Sequence, residues 1–118
     1  MRGKNYFASD LNRFINECGL CSEKMTVINI DCLMIKISQR RIRIIESKHT
    51  LEHMSKSQET AMLILKDITK NSDVWDVGVF EVRGDLPYNT VQIREFGTDK
   101  IMTLNQKEFI QWLNFEDF

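Results

Sequence analysis

Proline occurs once in the 118 residues, glycine five times and cysteine three times. None of the glycines falls in a Gly-rich loop of the kind that cradles a nucleotide phosphate, which removes the common nucleotide-binding motifs. Cys18, Cys21 and Cys32 fall one short of the four ligands of a structural zinc site. The spacing Cys18-Gly19-Leu20-Cys21 follows a predicted helix, whereas a redox pair opens one after a strand. Cys18 reads instead as part of that helix's apolar stripe. No apolar run is long enough to cross a bilayer. Arg2 and Lys4 are not followed by the apolar stretch of a secretory leader. Cytoplasmic residence without a membrane partner is the expectation, and for a viral source that means the host cytoplasm. Neither sign of charge is in excess, with 16 Lys and Arg against 17 Asp and Glu. A net charge of −1 does not describe a generic polyanion binder.

What is present is an ordinary globular composition, 42% hydrophobic and 28% charged, in a length that fits one domain spanning 1–118. Phe7, Leu11, Phe14, Ile15 and Cys18 recur at helical spacing and predict a helix over 7–18, stopped by Gly19. Asp10 and Glu17 lie off that stripe and read as a solvated face. Strands are expected over 26–37 and 41–48, joined by a polar turn at Ser38–Arg40 that lacks the usual hairpin glycine. Ser55-Lys56-Ser57-Gln58 has the form of a capping box opening a helix over 55–70, with Ala61, Ile64, Leu65 and Ile68 as its buried stripe. A strand over 77–82, entered by a helical crossover, is the natural parallel neighbour of the second strand. Strands over 88–96 and 100–104 follow, then a helix capped by Asn105 and running through Trp112, with Phe115 and Phe118 beyond it. The expected fold is α/β, a mixed central sheet flanked by helices in the order αββαβββα.

The second predicted strand, Arg41-Ile42-Arg43-Ile44-Ile45-Glu46-Ser47-Lys48, carries the chemistry. Side chains two apart share a face of a strand, so Glu46 and Lys48 point the same way as Ile42 and Ile44. On the partner strand Asp31 shares a face with Asn29, Leu33 and Ile35. Buried strands hold charges only when these are paired or bind a metal. Two carboxylates brought together repel unless a cation lies between them. Mg²⁺ suits such a pair, because it takes one or two carboxylates and completes its shell with water and phosphate oxygens.

Asp31, followed fifteen positions later by Glu46-x-Lys48, resembles the catalytic signature of the PD-(D/E)xK nuclease superfamily, over roughly residues 7 to 68. Ile30 stands where the name-giving proline would be. The resemblance implies a restriction-endonuclease-like core, as also found in Holliday-junction resolvases. It implies a metal-dependent nuclease acting on DNA, with Asp31 and Glu46 binding Mg²⁺ (Mn²⁺ substituting) and Lys48 assisting the attacking water. It also implies a glutamine on the following helix near the metal or the DNA, a role that Gln58 resembles beside its capping role.

Lys36, Arg40, Arg41, Arg43 and Lys48 crowd the same stretch, and a basic patch beside carboxylates is what a phosphodiester enzyme needs. Arg40, Arg41 and Arg43 are therefore candidate substrate-binding residues, against the plainer reading of a solvated hairpin tip. Arg41 and Arg43 alternate onto the face opposite Glu46. His49 and Lys56 join the candidates, His49 because it follows Lys48 and Lys56 because it opens a helix, where anions are welcome. Cutting two strands takes two active sites, and a homodimer is the usual solution. The alternative is a catalytically inactive nuclease-fold protein that binds nucleic acid or a protein partner through the same surface.

Overall fold

The computed structural model describes residues 10–19, 30–98 and 100–116. Its elements are α1 (Asp10–Glu17), β1 (Cys32–Lys36), a 3₁₀ turn (Ile37–Gln39), β2 (Arg41–Lys48), α2 (Lys56–Thr69), β3 (Asp76–Arg83), β4 (Thr90–Glu95), β5 (Lys100–Asn105) and α3 (Gln106–Leu113). The fold is α/β, with one five-stranded sheet in sequence order β1-β2-β3-β4-β5. β2 and β3 are parallel and every other pair is antiparallel, so the sheet is mixed. The helical crossover α2 is what permits the one parallel step, since a tight turn cannot reverse the chain twice.

Alternation along the strands divides the sheet into two faces, each covered by one helix. Ile45, Phe80, Val82, Val91 and Ile93 pack under Phe109 and Trp112 of α3. Ile44, Val77, Val79 and Phe96 pack under Met62 of α2, which is wholly buried. Phe115 covers the end of the α3 side and is itself buried, while Phe118 lies outside the described residues. No helix among the described residues is long and apolar enough to cross a membrane.

Both helix starts expected from sequence are capping boxes. Ser55 caps α2 through the Gln58 N–H, and Asn105 caps α3 through the Glu108 N–H. The glycine-free turn closes because Arg40 adopts the left-handed conformation itself, at φ 51°, with its N–H donating to the Ile37 carbonyl. Asp31 stands one residue before β1, in a bend, and residues 26–29 of the expected first strand lie outside the described residues.

Two expected apolar stripes are corrected. On α2, Ile64 and Ile68 are 56% and 70% exposed, while Met62 takes the core position. The helix is turned so that Gln58 meets the sheet, and Met62, Leu65 and Thr69 follow it at i+4, i+7 and i+11. On α1, Leu11, Phe14 and Cys18 are exposed rather than core, and only Ile15 is half-buried. Phe7 and Cys21 lie outside the described residues.

Candidate active site

β2 delivers Ile42, Ile44, Glu46 and Lys48 to the α2 face, and the antiparallel register of β1 (Leu33 opposite Ile44) places Asp31 toward the same end. The Asp31 carboxylate is fixed there by the backbone N–H of Ser47, which donates to Oδ2 at 2.8 Å. Asp31, Glu46 and Lys48 thus come together at the C-terminal end of β2.

Glu46 is 3% exposed. Its Oε1 accepts from Gln58 Nε2 at 3.2 Å and lies 3.7 Å from the Lys48 ammonium. Its Oε2 is buried with no hydrogen-bond donor among the described residues. Burial is the main cause of a raised pKa and the neighbouring Asp31 charge the second; against the pull of Lys48, the carboxyl titrates at about 7 instead of 4.5. When protonated, the group hydrogen-bonds to Asp31; when ionised, it leaves an oxygen unsatisfied next to another carboxylate. That is an electrostatic fault which a cation repairs. The open side also fits, because Asp31 is exposed and leaves room for the water that Mg²⁺ retains. Among the described residues, no three His, Cys, Asp or Glu side chains gather as a metal cage. Among the described residues the donor set is two carboxylates, suited to a hydrated hard cation rather than to a closed zinc site.

Gln58 both caps α2 and reaches Glu46, because its amide has two ends. Oε1 accepts the Ser55 N–H at 3.1 Å, completing the helix cap, while Nε2 holds Glu46. Lys48 is 8% exposed and its ammonium also meets Glu52 at 3.6 Å. Glu52 in turn accepts the His49 N–H at 3.0 Å, and this bond is the main reason its carboxyl sits below the ordinary range.

The basic candidates are dispersed. Arg41 and Arg43 lie on the α3 face. Arg43 is buried between the rings of Trp112 (4.0 Å) and Phe115 (4.2 Å) and donates to the Trp112 carbonyl. Arg41 pairs with Asp76 at 3.7 Å and donates to the Phe115 carbonyl at 3.3 Å. These two join α3 to the sheet, on the face opposite Asp31 and Glu46. Arg40 is exposed at the other end of β2, roughly 20 Å along the strand from Glu46 at about 3.3 Å per residue. Lys56 is exposed on the first turn of α2. His49 is exposed beside Lys48, and its Nδ1 lies 3.0 Å from Asp85 Oδ1. Asp10 and Glu17 are exposed on α1.

Sequence reasoning missed the neighbouring ion-pair network. Glu81, the register partner of Glu46 on β3, is buried and held by Arg83 (2.7 Å) and Arg94 (3.1 Å), and Arg94 reaches Glu59 of α2 at 2.8 Å. Its signal was an acid in phase with Val77 and Val79 in an apolar strand, but its partner Arg94 belongs to β4, thirteen residues away.

Two cavities among the described residues leave the carboxylate cluster outside them. A cavity of about 280 Å³ lies on the opposite face, lined by Arg43, Phe80, Met102, Trp112 and Phe115 among others, and contains none of the three signature residues. Compared with protein-family models, with curated proteins and with solved structures, the chain finds no match.

Proposed function

We propose that this protein is a metal-dependent nuclease with a restriction-endonuclease-like core, hydrolysing phosphodiester bonds of DNA at the end of β2. The observation that carries the reading is the ionisable pair Asp31 and Glu46, with a buried Glu46 oxygen lacking a donor among the described residues and a buried ammonium 3.7 Å from the same carboxyl group. An idle buried pair such as Glu46 and Lys48 returns little stability for its desolvation. Asp31 and Glu46 would hold Mg²⁺, with Mn²⁺ substituting. A bound divalent cation would supply Lewis acidity toward the phosphate and lower the pKa of the attacking water. Lys48 places a positive charge where charge develops on the phosphate and orients the water by hydrogen bonding. Gln58 keeps the Glu46 carboxyl in place, and the Ser47 N–H does the same for Asp31. Expected partners are DNA and a second copy of the chain, with the exposed His49 and Lys56 as the proposed contacts to a phosphate backbone. Light scattering that finds only monomer removes the dimer.

The test is cleavage of duplex, single-stranded and branched DNA with Mg²⁺, and its loss in Asp31→Ala, Glu46→Ala and Lys48→Ala proteins that remain folded. Retained activity in Asp31→Ala refutes the assignment. A second reading, a nuclease-fold protein that binds without cutting, is favoured by one observation: no third metal-ligating side chain joins the pair among the described residues. Calorimetry separates the two, since heat of binding with Mg²⁺ or Mn²⁺ is expected only of the enzyme.

A further inference from the structure

Lys48 lies between two carboxylates held in different ways. Glu46, at 3.7 Å, is buried and fixed by Gln58. Glu52, at 3.6 Å, belongs to the loop after β2 and its side chain is 44% exposed. The loop backbone is tied down. Arg83 Nη1 donates to the carbonyls of His49, Thr50 and Glu52, and Asp85 Oδ1 accepts from the Thr50 N–H and meets His49 Nδ1. Arg83 is itself anchored by Glu81. The Glu52 side chain, by contrast, is partly exposed and kept by one backbone N–H and one ion pair. The ammonium therefore has a permanent partner on its buried side and an exchangeable one on its open side.

A phosphodiester approaching from solvent carries the same charge as Glu52 and is drawn to the same ammonium. We infer that Glu52 is an anion placeholder: its carboxylate occupies the position at Lys48 that the substrate phosphate takes, and the substrate must displace it to bind. The inference rests on the nuclease reading for its substrate. Its physical ground is that a buried ammonium left with too little counter-charge is costly, so the unliganded protein supplies the missing anion from a tethered side chain. Rotation of one partly exposed side chain releases the site, and the clamped loop need not open.

Glu52→Gln keeps the side-chain length and an acceptor for the His49 N–H, and replaces the charged oxygen at Lys48 by a neutral amide NH2. Asp67→Asn, on the exposed far part of α2 beside Lys70, removes an equal charge away from the site. The measurements are anisotropy of a labelled DNA duplex in EDTA and cleavage kinetics in Mg²⁺. Glu52→Gln is expected to bind roughly three- to ten-fold more tightly, the effect of one charge at a partly exposed pair, with KM lowered in proportion and kcat within about two-fold. Asp67→Asn is expected to bind as the parent does. Binding no tighter than that of Asp67→Asn overturns the inference, and so does a collapse of kcat, which would put Glu52 in the chemistry itself. A parent protein that never cleaves, alongside tighter binding by Glu52→Gln, sinks the nuclease reading and leaves the placeholder standing. Undetectable binding by all three proteins overturns both.

Discussion

Replacing Glu46 by glutamine should stabilise the metal-free protein while destroying its proposed function. The folded protein holds the Glu46 proton more tightly than the unfolded chain does, since the carboxyl titrates at about 7 rather than 4.5. Between those values the native state binds more protons, so its stability falls as pH rises. The favourable contribution is complete below about 4.5 and gone above about 7. At roughly 1.4 kcal/mol per pH unit, the span is worth about 3 kcal/mol. The introduced amide cannot ionise. Its carbonyl can still accept from Gln58, and its N–H can donate to Asp31 as the protonated acid does. Urea denaturation in EDTA at pH 5, 6, 7 and 8 should therefore show a gap between Glu46→Gln and the parent that is small at pH 5 and grows toward about 3 kcal/mol at pH 8. With an m-value of about 1.5 kcal/mol per molar urea, that is a midpoint shift of roughly 2 M. Titrating groups remote from Glu46 are common to both proteins and cancel in the difference. Millimolar Mg²⁺ should raise the parent's melting temperature at pH 8 and leave that of Glu46→Gln unmoved. Its affinity for the parent should strengthen with pH up to about 7, because the ion displaces a proton. A gap independent of pH, or a less stable Glu46→Gln at pH 8, refutes the reasoning about the buried carboxyl.

Gln58→Ala should lose about 1 kcal/mol in denaturant melts from the broken capping box and lower kcat as well, whereas Gln58→Glu should keep the cap yet bring a third carboxylate to Glu46 and lose stability as pH rises. Arg43→Ala should cost about 2–3 kcal/mol of stability through lost stacking and packing, with DNA affinity of the folded protein unchanged in anisotropy titrations; weakened binding would restore its role as a substrate contact. Met62→Ala, at the wholly buried centre of the α2 face, should cost about 2–5 kcal/mol by thermal and chemical melts without moving the pH dependence of the Glu46 site.

The strands and their shared faces were open to reading because alternation is local. Glu46 and Lys48 are in phase with Ile42 and Ile44 whatever the rest of the chain does. The Ser55 and Gln58 cap was equally local, and it carried the second helix to its correct start. The buried face of that helix was less legible. Ile64 and Ile68 are as apolar as Leu65, and their exposure follows from the docking of Gln58 and Met62 on the sheet, a tertiary choice without a sequence signal of its own. The basic residues mislead for a related reason. Alternation alone put Arg41 and Arg43 opposite Glu46, but only the packed α3 shows that this face is walled by Trp112 and Phe115 and is not free for DNA. The partners of Lys48 and Glu81, namely Glu52, Arg83 and Arg94, depend on loop path and strand register, which a single chain read locally does not contain.

The divided amide of Gln58 has a further consequence. Because one side chain both seats the opening of α2 and steadies Glu46, the two cannot fail separately. Heat that frays the helix's first turn would slacken the carboxylate while the sheet is still intact. Turnover should then decline several degrees below the global melt, and amide exchange at Gln58 should quicken over the same interval.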